Sequence, residues 1–492
     1  MTQHIIHMEN GRLADDTPFP QVEQMVNAAV ATGNVVVHLH GGLVSERRGR
    51  TIAEQLTPAY QEAGAYPIFL VWEAGLIETI KNNFGRLVAE QLFRVVLKRV
   101  LRIARRKFVQ DQGGRSAGTV PDLDVTASEA ALDDALSKDD PALMPPEPTP
   151  DAGLTPLSDV EAIALEAELQ ADPEVQMVVQ AVSNGLRDPA EIEADEAARS
   201  TGPVVASSET LMDPAAVDRL VDRPDPSARG LFSTARIIKA IVLVSAQVIQ
   251  RYLSGRDHGF HATVVEEILR EFYVANIGGA IWGQMKGDTK DSFGAGHAEF
   301  GGTALIKVLS DRIQEGAQPR VTLVGHSTGA VYIAHLLAAA DPVLPVGFQF
   351  DVVLLAPAST FELATSTFIA HRSRIGGMRM FTMTDDNEKA DRLVRVLYPH
   401  SLLYFVSGVL EAGADTPITG LERHYDSNRY DPSKFPEVDA FRRLIGAIPN
   451  GAVWSVATGS GPGLETKATH HGDFDNEPTT LKSVKHIIEN GF

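Results

Sequence analysis

Four short runs constrain this chain most. Asn34-Val-Val-Val-His-Leu-His40, Tyr66-Pro-Ile-Phe-Leu-Val-Trp72, Arg320-Val-Thr-Leu-Val-Gly325 and Phe350-Asp-Val-Val-Leu-Leu-Ala356 are dense in aliphatic and β-branched residues at successive positions. Successive strand residues face opposite sides, so such runs need cover on both faces, as in a parallel sheet wrapped by helices. Helical periodicity stands between them over Gln21–Ala31, Thr51–Ala63, Thr303–Gln314 and Gly329–Ala340. Met1–Met8, Met378–Thr384 and Gly451–Ala457 read as further strands. Ser401–Glu411 and Pro478–Glu489 read as helices. The pattern predicts an α/β protein with a doubly wound, mostly parallel sheet.

The alternation stops between residues 74 and 296, which divides the chain into core segments 1–73 and 297–492 around an insertion. Asn83–Phe108 is a helix candidate in which Arg94, Lys98, Arg102 and Arg106 recur every four residues along one face. Residues 120–229 are the opposite, with 25 Asp and Glu against 6 Lys and Arg. That stretch carries almost all of the chain's formal charge of −20. Its Pro-rich centre, 141–150, reads as a linker or disordered segment, with a short helix over Leu157–Gln170. Leu231–Leu253 and His261–Val274 read as cap helices, and Gly283–Phe293 as a polar loop. The basic helix admits three readings: a solvated or lid-packing helix, a partner for the acidic segment, or a peripheral contact of 83–108 with anionic membrane.

Composition excludes several function classes. The acidic balance argues against nucleic-acid binding, which needs a cationic face. The chain has no cysteine, hence no disulfide, thiolate metal site or Cys nucleophile. His38 and His40 form His-x-His without an evident third ligand, so no metal is expected, and no cofactor. Met1–Met8 lacks a basic region followed by a long apolar run, and no uncharged apolar run reaches spanning length. A cytoplasmic protein is the expectation.

Gly325-His326-Ser327-Thr328-Gly329 joins a strand to a helix. A serine there sits on a tight turn that turns its hydroxyl out of the sheet, and the flanking glycines keep side chains out of the turn. With this context, Val321–His335 resembles the nucleophile elbow of the α/β-hydrolase superfamily. The resemblance implies Ser327 as nucleophile and, in chain order, an oxyanion loop before it and an acid and a histidine after it. His40-Gly41-Gly42-Leu43 resembles the His-Gly-Gly oxyanion loops of lipases and esterases, so the implied oxyanion donors are the N–H of Thr328 and that of Gly42 or Leu43. The implied acid follows the Met378–Thr384 strand: Asp385, with Asp386 and then Glu388 as alternatives. The implied base follows the last strand: His471, with His470 as alternative. Asp473 and Asp475 either position that loop or cap the last helix.

The resemblance covers 1–73 and 297–492. It departs from the family in the placement of its insertion, which precedes the nucleophile strand, and in the long Asp386–Gly451 connection. The expected activity is hydrolysis of a carboxylic ester, esterase- or lipase-like, on a small-molecule or lipid acyl substrate, with Leu231–Leu253 and Trp282 capping Ser327. Two alternatives stand beside it: an amidase or peptidase on the same triad, and a non-catalytic partner-binding protein retaining the fold.

Overall fold

The computed structural model describes residues 2–42, 45–72, 76–110, 122–148, 153–185, 211–222, 231–296 and 298–492. Eight strands form one sheet: β1 (Ile5–Glu9), β2 (Arg12–Leu13), β3 (Asn34–Leu39), β4 (Tyr66–Trp72), β7 (Arg320–His326), β8 (Phe350–Leu355), β9 (Ile375–Met383) and β10 (Ala452–Ser455). The other two, β5 (Val221–Asp222) and β6 (Leu231–Phe232), make a small antiparallel pair in the insertion. The large sheet runs β10-β9-β8-β7-β3-β4-β1-β2. Every pairing in it is parallel except that of the edge strand β2 with β1. The protein is therefore an α/β protein with a mostly parallel eight-stranded sheet covered on both faces.

The pleat sorts the strand residues into two cores. Val35, Val37, Ile68, Leu70, Leu323, Val352 and Leu354 face helices Phe19–Ala31, Gly301–Gln314 and Gly329–Ala340. Val36, Phe69, Val71, Val324, Val353 and Leu355 face the other way. That second core continues without a break into Phe84, Phe93, Leu97, Ile241 and Trp282 of the insertion. The insertion thus shares its hydrophobic core with one face of the sheet.

Within the insertion, the basic segment is two helices, Leu76–Ala89 and Gln91–Gln110, and not one. Phe93, Val96, Leu97, Val100, Ala104 and Phe108 make the buried stripe of the second. Its four-residue cationic row meets carboxylates of the acidic segment throughout. Arg94 and Lys98 reach Asp133 at 2.7 and 2.6 Å, Arg102 reaches Glu129 at 2.5 Å, and Arg106 reaches Glu168 at 3.0 Å. Arg99 adds Asp172 and Glu174 at 2.7 and 2.6 Å. Charge pairing inside the chain, one of the three readings of the basic helix, is what the structure contains. The carboxylates come from helices Asp122–Lys138 and Asp159–Ala171, and from Asp172 and Glu174 at the start of helix Pro173–Gly185.

Several local expectations need correcting. Pro141–Leu143, inside the supposed linker, is a single helical turn capped by the Asp140 side chain; residues 149 and 150 of that stretch lie outside the described residues, as does most of 186–229. Gly283–Phe293 is no loop but the greater part of helix Ala280–Asp291. Its two glycines obscure a buried stripe of Trp282, Met285 and Thr289 at helical spacing. The Asp386–Gly451 connection holds helix Pro436–Ala447, which the sequence reading passed over.

A buried ionic cluster ties the insertion to the C-terminal half. Asp415, fully buried, accepts from Arg256 Nε at 2.8 Å, His258 Nε2 at 2.9 Å, Tyr430 Oη at 2.9 Å and His424 Nε2 at 3.3 Å. His258 Nδ1 meets Glu266 at 2.8 Å, and Glu266 meets Arg251 at 2.6 Å. Among the described residues, no helix is long and apolar enough to cross a membrane.

Candidate active site

Ser327 stands between the end of β7 and helix Gly329–Ala340, with φ at +54°. A non-glycine residue holds that left-handed conformation only where its surroundings over-determine it. Here the Ser327 N–H donates to the Leu355 carbonyl at 2.9 Å, and its own carbonyl accepts from Ala330 and Ala358 at 3.1 and 3.0 Å. The flanking glycines are required by crowding. A Cβ on Gly325 would lie 2.6 Å from Ile333 Cδ1, and one on Gly329 would lie 2.3 Å from the Leu39 carbonyl oxygen. The turn therefore fastens β7 to the end of β3. The Ser327 Oγ is buried and has no hydrogen-bond partner among the described residues.

The loop after β3 lies against this turn. A Cβ on Gly41 would come within 3.1 Å of Ser327 Cβ, and one on Gly42 within 2.3 Å of Met285 Cε. The Gly42 N–H donates to the Thr328 hydroxyl oxygen. Leu43 lies outside the described residues. No side-chain or backbone acceptor among the described residues takes the Thr328 N–H, which heads the following helix. His40 is held as a structural residue: its Nε2 accepts the Trp72 N–H at 3.2 Å, so its Nδ1 carries the proton and donates to the Gly41 carbonyl at 2.7 Å. Its ring stacks on Trp72 at 4.1 Å. His38 bonds the Tyr60 hydroxyl at 2.9 Å.

No hydrogen bond joins the His471 ring to Ser327, and His471, not His470, packs against His326. His471 is 4% exposed, whereas the His470 side chain is 66% exposed and turns to Asp473. The residue before Ser327 makes the connection. His326 Nε2 donates to the His471 carbonyl at 2.9 Å, and the two rings stack at 5.2 Å. His326 Nδ1 lies 3.5 Å from Asp475 Oδ2. Burial pulls the His326 pKa down, but the Asp475 charge outweighs it and leaves the pKa above its ordinary value. Burial likewise opposes Asp475, whose pKa His326 holds below normal. Burial, and then the charge on His326, push His471 well below the usual range. His471 is thus a neutral imidazole, and neither ring nitrogen has a partner among the described residues.

Asp385 is a correction. Its carboxylate takes the Tyr404 hydroxyl at 2.5 Å and Lys389 Nζ at 2.6 Å, and no hydrogen bond joins it to His471. It opens the short helix Asp385–Ala390, which turns it toward Tyr404. Asp386 is exposed, and Glu388 is fully buried, with a pKa that burial pushes well above normal. The carboxylate that does reach the histidine loop is Asp391, whose Oδ2 accepts the His471 backbone N–H at 2.8 Å. Sequence reasoning missed it, though it stands only six residues past Asp385 in the same loop. Asp475 binds His326, and the last helix is capped by Glu477 instead. No family model, curated protein or solved structure matches the chain.

The buried histidines make stability depend on pH. Burial holds His38 at about 3 and His40 at about 4 in the folded chain. Unfolded, both titrate near 6.5, so below that pH the unfolded state binds more protons and stability falls with pH. Each contributes roughly 1.4 kcal/mol per pH unit between about 6.5 and 4, and His326 opposes them with its raised pKa. Urea unfolding is expected at a clearly lower midpoint at about pH 5 than at about pH 7. Equal midpoints would contradict it.

Proposed function

We propose that the chain is a serine hydrolase of the α/β-hydrolase type that cleaves a carboxylic ester. One observation carries this reading: Ser327 occupies a strained strand-to-helix turn with a free hydroxyl, and the neutral His471 is bound to the residue before it. Ser327 Oγ attacks the ester carbonyl while His471 takes its proton. The carbonyl oxygen becomes an oxyanion against the Thr328 N–H, and against the Gly42 N–H once the Thr328 hydroxyl turns aside. Collapse expels the alcohol, which leaves with the proton from His471. Water, deprotonated by the same histidine, then releases the carboxylic acid and frees Ser327.

Burial favours the neutral form of His471; the neighbouring His326 lowers its pKa further and Asp475 opposes that. Asp391 holds the loop through the His471 backbone amide and not through the ring. Met285 over Gly42 lines the site with an apolar surface, which suits an apolar acyl group. A fluorophosphonate probe tests the assignment. Wild-type protein is expected to label at one serine, and Ser327→Ala not at all. Undiminished labelling of Ser327→Ala sinks the proposal. Nitrophenyl esters beside peptide amides then separate esterase from amidase.

A further inference from the structure

A second cleft lies in the insertion, between helices Gln91–Gln110 and Asp122–Lys138 and the start of helix Phe260–Phe272. Leu101, Leu132, Met144 and Phe260 form apolar walls around a cavity of about 40 Å³. The charges on its lining differ in kind. Lys98 and Arg102 are neutralised, by Asp133 and Glu129. Arg105 is not: its guanidinium donates to Ser128 Oγ at 2.8 Å and to the Pro146 carbonyl, and meets no carboxylate among the described residues. Glu147, exposed at the mouth, accepts only the His261 backbone N–H at 3.3 Å and meets no cation among them. His261 also lines the cleft, and its buried Nε2 has no partner among the described residues.

An apolar recess flanked by one uncompensated cation and one uncompensated carboxylate matches a zwitterion with a small apolar side chain. We propose that this cleft binds a short-side-chain apolar α-amino acid, its carboxylate on Arg105, its ammonium on Glu147 and its side chain against Leu132, Met144 and Phe260. The volume limits what enters to a few heavy atoms, so the two charged groups stay at the rim where Arg105 and Glu147 stand. The cleft shares no lining residue with the Ser327 site, so the inference does not depend on the hydrolase reading.

Titration calorimetry of the full chain with L-valine, 3-methylbutanoate and 2-methylpropylamine tests it, the last two each lacking one charge. Valine is expected to bind about tenfold more tightly than either, the worth of one charge-assisted hydrogen bond. In Arg105→Gln the advantage over the amine disappears; in Glu147→Gln the advantage over the carboxylate disappears. These are ratios within one protein, so a change in stability does not mimic them. Absence of saturable valine binding to the wild type, equal affinity for all three compounds, or wild-type preference in both variants each overturns the proposal. The wild-type comparison alone is decisive should a variant fail to fold.

Discussion

His471→Ala is expected to lower kcat/KM for a nitrophenyl ester by roughly a thousandfold or more, because Ser327 loses the group that takes its proton. The loss belongs to the chemistry and not to folding. His471 makes no side-chain hydrogen bond, so its removal leaves no partner stranded. The acid limb of the pH–rate profile is expected below the ordinary histidine range, since burial and His326 hold the His471 pKa down. The carboxylates separate the two assignments. Asp391→Ala releases the His471 amide and is expected to cost about tenfold in kcat, whereas Asp385→Asn should change it by about twofold or less. A large loss in Asp385→Asn with none in Asp391→Ala would restore the acid suggested by the sequence.

The largest effect on stability is expected at Asp415. It is fully buried and serves Arg256, His258, His424 and Tyr430 together. Its own pKa stands well below normal because these partners outweigh burial. Removing one member of a buried pair costs about 3–5 kcal/mol, since the opposite charge stays buried without compensation. Asp415→Ala should therefore destabilise by at least that much in urea or thermal unfolding. Asp415 also has φ at +52°, a conformation that asparagine tolerates better than alanine. Asp415→Asn is thus the milder variant, since it also keeps an acceptor oxygen for the cluster. A cost below about 1 kcal/mol for Asp415→Ala would show the cluster to be solvated or slack.

The sheet was legible because β3, β4, β7 and β8 are buried on both faces and carry uninterrupted apolar runs. Ser327 and His471 were singled out on another ground: each follows a strand at a position that chain order marks. What escaped depends on contacts distant in sequence. The His326 bond to His471 spans 145 residues, and nothing near His326 announces it. Asp385 was chosen for its closeness to the end of β9, yet the turn of the short helix sends it to Tyr404, while Asp391 comes round to the loop. The helix at Ala280–Asp291 was hidden by glycines that the local packing does not need: a Cβ at Gly283 or Gly287 would meet nothing within 4 Å.

The bond between Gly42 and Thr328 bears on how the resting site behaves. A hydrogen-bond donor aimed at an empty, water-poor site is unstable, and the surrounding loop would relax to satisfy it. In the proposed mechanism the threonine hydroxyl is an internal understudy for the substrate oxygen, and the Gly42 N–H it accepts keeps the loop in shape. On the hydrolase reading, an incoming carbonyl must compete with a tethered oxygen already on the amide. A serine at this position would surrender the amide more readily than the branched, less mobile threonine does. Residue 328 would then set a threshold: how good an acceptor the substrate must be before the site admits it.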